Sequence, residues 1–234
     1  MHQEILVTQL DNNPASSVTE KDQSPRFIAV EGAIGVGKTT LARRLANSFN
    51  CKTLLEQPEE NPFLERFYQD QKTGALPAQL YFLFQRVRKI QEIRQSDMFQ
   101  QVQVADFLME KDQLFAQITL DSEELKLYQT VYKQLTIDAP TPDLVIYLQA
   151  PTDTLLSRIQ HRGIQYEKPI NRDYLRRLNE AYTHFFYYYD NAPLLIVNAA
   201  EIDLANSKQD YQGLLDYMLN IRSGRHYYNS RPFL

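Results

Sequence analysis

A short glycine-containing stretch, EGAIGVGKTT at residues 31–40, has the residue types that hold phosphate groups. Gly32 and Gly37 allow a tight turn whose backbone N–H groups point inward at an anion. Lys38 adds a mobile positive charge for the β- and γ-phosphates, and Thr39 offers a hydroxyl to Mg²⁺. A helix is predicted to begin at residue 38, so its partly positive N-terminus faces the same anion. The stretch therefore predicts a nucleoside triphosphate site.

The loop alone leaves open what happens to the phosphate. A switch or motor hydrolyses it, whereas a phosphotransferase passes it to a second molecule and needs an acceptor site. The predicted donor-binding residues are consecutive: Gly32, Ala33, Ile34, Gly35, Val36, Gly37, Lys38, Thr39 and Thr40. The rest of the chain has to supply or withhold the acceptor site.

Two acidic residues lie where predicted strands end. Glu56 ends the second predicted strand and Asp106 the third. In a parallel α/β sheet, ligands bind beyond the carboxyl ends of the strands, close to the phosphate loop. Carboxylates there can serve an acceptor hydroxyl or hold Mg²⁺. The alternative for Glu56 is a solvated acidic loop, since Glu59 and Glu60 follow, and for Asp106 a helix cap.

Two pairs of side chains on helical patterns are further candidates. Gln79 and Arg86 are seven residues apart and share a helix face, where they can contact a nucleobase and a sugar. The alternative is a solvated edge with the arginine stem lying on the core. Arg158 and Arg162 are four residues apart, which fits a cationic lid over the donor phosphates. Favourable charge at a helix C-terminus explains the same pair.

Apolar strand-like runs alternate with helical patterns from Arg26 onward. The predicted strands are residues 26–31, 52–56, 102–107, 143–149 and 193–199, all apolar enough for burial on both faces. The predicted helices are 38–49, 77–97, 122–135, 153–162, 172–189 and 209–222. This alternation predicts an α/β fold, a P-loop three-layer sandwich with a parallel sheet of about five strands flanked by helices.

Composition narrows the class of protein. The chain has 234 residues, a hydrophobic fraction of 43% and a net charge of −4, which fit one globular domain and argue against nucleic acid as a partner. We predict a mobile tail at 1–25, the domain at 26–222 and a second tail at 223–234. No apolar run approaches the about 18 residues of a membrane span.

Two features of the sequence predict the cellular compartment of the protein. The first residues have no basic leader followed by an apolar core, so no secretory signal is expected. Cys51 is the single cysteine, which rules out an internal disulfide and favours a reducing, cytoplasmic location.

The chain resembles the deoxynucleoside kinase family over about residues 26–200, through EGAIGVGKTT, LLEQPEENPFLERFYQD, PAQLYFLFQRVRK and RIQHRG. The resemblance implies that Glu56 helps to activate the sugar 5′-hydroxyl. It also implies that Tyr68 and Glu167 contact the 3′-hydroxyl, and that Gln79 reads the base edge with Arg86 beside it. ATP, Mg²⁺ and a homodimer packed through helices are further implications.

The sequence departs from the family pattern in three places. The usual acid–arginine pair after the third strand reads Asp106-Phe107, and Lys111 is the candidate for the missing charge. The segment that follows looks about one residue shorter, which makes Glu110 the nearest match for the acid that reads the base. Ile164 replaces a third lid arginine, so Arg158 and Arg162 carry the predicted lid.

The resulting prediction is an enzyme that transfers the ATP γ-phosphate to the 5′-hydroxyl of a deoxynucleoside. Glu56 or Asp106 takes the proton, Arg158 and Arg162 neutralise charge, and Thr39 with Asp106 holds Mg²⁺. The base preference stays open.

Two other functions are alternatives to this prediction. A nucleoside monophosphate kinase of the thymidylate kinase type typically carries an Asp where Ile34 stands and an Asp-Arg pair after the third strand, and both are missing. A P-loop switch or ATPase acting on a protein partner fits less well, since the chain has no guanine-reading N-K-x-D.

Overall fold

The computed structural model describes residues 25–96, 102–136 and 139–229. The predicted tail at 1–25 lies outside these residues except for its last position. Among the described helices, none has the length and apolar character needed to cross a membrane.

The described strands form one parallel sheet in the order β2-β3-β1-β4-β5-β6. Their bounds are β1 Phe27–Gly32, β2 Thr53–Leu54, β3 Gln103–Ala105, β4 Leu144–Gln149, β5 Leu194–Asn198 and β6 Arg225–Tyr228. The central strand β1 is buried along its whole length, because helices cover both faces of the sheet. The predicted α/β sandwich is confirmed.

The helices are α1 Lys38–Phe49, α2 Leu64–Gln69, α3 Gln71–Ser96, α4 Lys111–Thr119, α5 Ser122–Leu135, α6 Thr152–Arg162, α7 Arg172–Tyr188 and α8 Lys208–Met218. The predicted α1 and α5 have the observed bounds. The sequence missed α2 and α4, which are short. It also began α3 at Pro77, whereas Asp70 accepts hydrogen bonds from the Lys72 amide and the Thr73 hydroxyl and begins the helix earlier.

The sheet has one strand more than expected, because Arg225–Tyr228 lies in the segment assigned to the C-terminal tail. This strand, β6, pairs with β5, and His226 lies opposite Leu195. Tyr227 is 64% exposed, as an edge strand of four residues allows. Such a short strand lacks the continuous apolar run by which the other strands were predicted.

The aromatic run near the end of α7 joins this helix to the sheet. Tyr182 and Phe186 are buried and stack on Tyr147 of β4. Tyr187 and Tyr188 point the other way and are 67% and 68% exposed. The buried Tyr182 hydroxyl donates a hydrogen bond of 2.6 Å to Glu31 at the end of β1. The core thus reaches the residue just before the phosphate loop.

Candidate active site

The phosphate loop connects β1 to α1 and folds back on itself. Gly35 and Gly37 have φ angles of 83° and 109°, a region that disfavours side chains. A Cβ on Gly35 would also lie 2.8 Å from the Ile159 side chain. Lys38 Nζ donates to the carbonyl oxygens of Gly32 and Ala33 at 2.8 and 3.3 Å, which closes the loop. Its ammonium is thus at the anion site that the sequence predicted.

The two predicted metal ligands are in direct contact. Thr39 Oγ1 donates to Asp106 Oδ2 at 2.5 Å, while Asp106 Oδ1 accepts from the Glu56 backbone amide at 2.7 Å. A hydroxyl and a carboxylate are hard oxygen ligands of the kind Mg²⁺ prefers. Within the described residues there is no cluster of three His, Cys, Asp or Glu side chains for a metal. Thr39 and Asp106 therefore fit Mg²⁺ only together with phosphate oxygens of the nucleotide.

Asp106 is held in an environment that disfavours its charge. Burial, with the nearby Glu56 carboxylate, raises the pKa of Asp106, although Thr39 and Lys38 oppose the shift. A carboxylate whose pKa is raised by folding destabilises the protein above that pKa. Below the pKa of the unfolded chain the cost disappears, because both states are protonated.

Asp106→Asn is therefore expected to raise the melting temperature of the ligand-free protein at pH 7. The gain should fade as the pH falls to about 4, where unfolded aspartate titrates. Turnover should fall, since Asn is a poorer Mg²⁺ ligand. Thermal unfolding at several pH values checks this, with exposed Asp190→Asn as the matched control. A variant less stable than the wild type at pH 7 would contradict it.

A second cleft opens beside the phosphate loop, and we call it the acceptor cleft. Its lining includes the predicted residues Glu56, Tyr68, Gln79, Arg86, Asp106, Arg162 and Glu167, together with Lys38 and Lys111. These side chains come from α1, α2, α3, α4 and α6, from the ends of β2 and β3, and from the turn Gln165–Glu167. The structure thus brings together residues that are more than 100 positions apart.

Glu56 is the carboxylate of the acceptor cleft that two cations contact. Arg86 contacts its Oε1 through two nitrogens, and Lys111 Nζ lies 3.0 Å from the same oxygen. Burial disfavours the charged form, but Arg86, Lys111 and Lys38 outweigh it and lower the pKa of Glu56 to about 2. The solvated acidic loop that the sequence left open is not what surrounds Glu56, and the carboxylate is ionised at neutral pH.

Arg86 connects Glu56 to a second acid, and this corrects one prediction. The guanidinium also contacts Asp112, whose side chain is fully buried behind it. Glu110, the acid chosen from the sequence, does not line the cleft, and its side chain bonds to Asn191 instead. Successive helical positions turn by about 100°, so residues 110 and 112 point to different sides. Asp112, not Glu110, is the acid beside Arg86.

The predicted lid arginines lie at different places. Arg162 contacts Glu167 through Nε and Nη2, with a shortest distance of 2.6 Å. Arg158 donates to the Val36 and Ala199 carbonyl oxygens at 3.2 and 2.7 Å. Arg158 therefore faces the phosphate loop, whereas Arg162 joins the loop region to the acceptor cleft.

A larger cavity of about 680 Å³ lies on the other side of the phosphate loop. Its lining includes Gly35, Thr40 and Arg158, and the segment 199–206 that follows β5. Arg44 of α1 donates to the Leu204 carbonyl oxygen at 2.7 Å, which fixes that segment against the helix. The position leaves space for the base and sugar of a nucleotide whose phosphates lie in the loop.

Sequence reasoning assigned no role to Glu31 and Asp112, and it named Lys111 only as the candidate for the missing charge. All three residues are buried at the site. Glu31 looked like one more residue of an apolar strand, and α4 was not predicted at all. A helical reading of KDQLFAQIT would have placed Lys111 near Phe115 and Asp112 near Ala116, because residues four apart share a face. Because Ala116 is buried, polar residues on the same side of the helix indicate a polar pocket rather than a solvent-exposed surface.

Fold and site together define a P-loop phosphotransferase, because a phosphate-binding loop is joined to a lined acceptor cleft. The family model of deoxynucleoside kinases matches residues 28–221. The chain is 39% identical to the deoxyguanosine kinase of Bacillus subtilis (strain 168), over 67% of this chain and 76% of that protein. It is 28% identical to the deoxyadenosine/deoxycytidine kinase of the same organism, over 83% and 92%.

A solved structure gives the same picture. The deoxyadenosine kinase from M. mycoides with bound dATP superposes with a TM-score of 0.71 at 26% identity, over 82% of this chain and 98% of that chain. The chain belongs to the deoxynucleoside kinase family. It is an enzyme that phosphorylates deoxynucleosides on the 5′-hydroxyl with ATP, and the monophosphate kinase alternative is not favoured.

Proposed function

We propose that this enzyme transfers the γ-phosphate of Mg²⁺-bound ATP to a purine deoxynucleoside, with deoxyguanosine preferred. The observation that carries the proposal is Glu56, an ionised carboxylate that lines the same cleft as Lys38, Gln79 and Arg86. A carboxylate so close to the phosphate loop repels the phosphates of bound ATP. Its place is favourable when it accepts a hydrogen bond from a hydroxyl group that lies between them, and the acceptor's hydroxyl is such a group.

The proposed step moves one phosphoryl group. The 5′-oxygen forms a bond to the γ-phosphorus while the bond from that phosphorus to the β,γ-bridging oxygen breaks, and ADP leaves. The 5′-hydroxyl proton passes to Glu56. Lys38, Arg158 and Arg162 offset the charge on the transferring group, and Mg²⁺, when held by Thr39 and Asp106, supplies further positive charge.

Sugar recognition is assigned to Tyr68 and Glu167, which both line the acceptor cleft. Tyr68 packs against Phe67 and Tyr174, so its ring has a fixed orientation. Glu167 is held by Arg162 and is 6% exposed, so its oxygens are directed by that pair. A phenol and a carboxylate can both bond to a 3′-hydroxyl. The lid arginine then senses the acceptor through Glu167.

The purine preference rests on the donors at the base end. A guanidinium binds the O6 and N7 acceptors of guanine, whereas a Gln amide matches adenine N6 and N7. Arg86 directs some of its five N–H groups at Glu56 and Asp112, and the others remain for a base. Gln79, 4% exposed, supplies a donor and an acceptor. The 39% identity to a deoxyguanosine kinase supports the same order.

A panel of the four deoxynucleosides with ATP tests this proposal. We expect the highest kcat/KM for deoxyguanosine, then deoxyadenosine, with pyrimidines lower by about tenfold or more, as pocket contacts allow. Product formation followed by chromatography gives the values. A pyrimidine as the best substrate would overturn the purine preference.

We also propose a homodimer formed through α3 and α5. Phe84 on α3 is 50% exposed and Leu127 on α5 is 53% exposed, although both are large apolar residues. The two helices pack beside each other, so their outer faces offer a shared apolar surface. The molar mass in solution, measured by light scattering, tests this.

A cytoplasmic location is the third proposal. Its support is the single cysteine, Cys51, which fits a compartment where disulfides do not form. Cell fractionation with an antibody against the protein tests it.

A further inference from the structure

Lys111, the first residue of α4, ends in an ammonium group that two carboxylates hold inside the protein. Its side chain is 2% exposed, and Nζ lies 3.2 Å from Glu31 Oε1 and 3.0 Å from Glu56 Oε1. The ammonium also lies 5.9 Å from the centre of the Phe115 ring. Because Lys111 lines the acceptor cleft, this charge is close to any bound acceptor.

Stability alone does not explain a lysine at this position. Burial of an ammonium group costs free energy, and a helix N-terminus already carries partial positive charge that disfavours a cation. Buried ion pairs can often be replaced by apolar residues at little or no cost in stability. An apolar side chain is buried close by in the sequence: Phe107, directly after Asp106, packs with Phe27 and Ile90. The unfavourable placement of Lys111 points to a role in the reaction.

Glu31 fixes the ammonium from the core side. Glu31 is fully buried, and its Oε1 accepts the Tyr182 hydroxyl at 2.6 Å. The Tyr182 ring packs against the rings of Tyr147 and Phe186, with centroid distances of 6.1 and 6.3 Å. Glu31 therefore has little freedom to move, and the ammonium that it binds stays beside Glu56.

We propose that Lys111 is a positioning residue that acts on the phosphoryl transfer through Glu56. Glu31 anchors the ammonium, and the ammonium fixes the position of the Glu56 carboxylate beside the phosphate loop. Lys111 neither gains nor loses a proton in the step. This inference rests on the proposed role of Glu56 as the acceptor of the 5′-hydroxyl proton.

Two cations contact the Glu56 carboxylate, Arg86 of α3 and Lys111 of α4. Without Lys111, Glu56 keeps Arg86 but loses the ammonium that Glu31 anchors to the core. The position of the carboxylate beside the phosphate loop is then less tightly fixed.

The test compares Lys111→Met with the wild type in kcat and KM. We expect kcat to fall about 10- to 100-fold while the deoxynucleoside KM changes less than about threefold, because Lys111 acts through Glu56. Lys126→Met is the matched control, because Lys126 pairs with Glu123 at 2.9 Å but is 71% exposed.

A rescue experiment separates positioning from simple support of the fold. Ethylammonium added to Lys111→Ala should restore part of kcat, since it brings a cation into the space of the missing side chain. An unchanged kcat in Lys111→Met overturns the proposal. A lower kcat that ethylammonium does not rescue overturns it as well.

Two further measurements keep the test decisive. If Lys111→Met fails to fold, Glu31→Gln keeps the hydrogen bond from Tyr182 and the side-chain volume but removes the anchoring charge. It should lower kcat by about tenfold, and a wild-type kcat would refute the anchor. If the wild type itself phosphorylates no deoxynucleoside, the proposed function fails. Carbon-13 NMR of the Glu56 carboxyl at neutral pH still tests the contact with Lys111, because its chemical shift should change in Lys111→Met.

Discussion

Replacement of Glu56 by Gln is expected to lower kcat by about a hundredfold or more, because an amide cannot accept the 5′-hydroxyl proton. The side-chain volume stays the same, and the Arg86 side chain keeps one oxygen as a partner. Deoxynucleoside KM should change much less than kcat. Steady-state kinetics at saturating ATP give both values.

Glu59→Gln is the matched control for this prediction. Glu59 lies three residues further along the same segment but is exposed, so its loss should leave kcat unchanged. Near-normal turnover of Glu56→Gln would remove Glu56 from the role of proton acceptor and leave Asp106 as the candidate.

The low pKa of Glu56 determines when in the phosphoryl transfer the 5′-hydroxyl proton moves. At a pKa of about 2 the carboxylate is a weak base, so it cannot withdraw the proton from an intact hydroxyl early in the step. In a loose transition state the attacking oxygen becomes acidic only as its bond to phosphorus forms. Glu56 thus first orients the hydroxyl and takes its proton late. The wild-type rate should accordingly show no loss from protonation of Glu56 near neutral pH.

Replacement of Arg86 by Met is expected to lower the free energy of unfolding by about 3–5 kcal/mol, the usual cost of breaking a buried ion pair. The variant leaves Glu56 and the fully buried Asp112 without their shared cation. Urea unfolding of both proteins measures the loss, provided that the slope of the unfolding free energy against urea concentration is the same. Because the pair is buried, 1 M salt should not remove the difference.

Arg176→Met is the control for this prediction. Arg176 pairs with Glu180 at 2.9 Å, but both side chains are more than half exposed. Such a surface pair contributes about 0–1 kcal/mol. Equal stability of Arg86→Met and Arg176→Met would show that the buried pair does not hold α3 against α4.

Local patterns in the sequence were enough to predict the phosphate loop and the central sheet. Each of those features is continuous in the chain, as in EGAIGVGKTT or the run LVIYLQ of β4. The ends of α1 and α5 were also predictable, because Gly37 and Asp121 begin these helices with local geometry or a capping box. Helical spacing was enough to select Gln79 and Arg86, whereas Tyr68 and the specific roles of all three residues came from the resemblance.

The contacts that complete the site could not be predicted in the same way. Lys111 meets Glu31 and Glu56 from a helix of nine residues whose apolar pattern is too short to detect. Glu110 and Asp112 are two positions apart, which turns a helical side chain by about 200°, so the choice of Glu110 placed the acid on the wrong side of the helix. Long-range pairing between buried charges has no local signal, so only the folded chain reveals it.

Phosphorus NMR of the reaction with ATP and deoxyguanosine distinguishes phosphoryl transfer from hydrolysis. We expect each ADP formed to be matched by one deoxyguanosine 5′-monophosphate, with little inorganic phosphate, since the cleft presents an acceptor to the phosphate loop. ADP that appears with inorganic phosphate and no nucleoside monophosphate would contradict it. That result would show that the protein hydrolyses the phosphate that its loop holds.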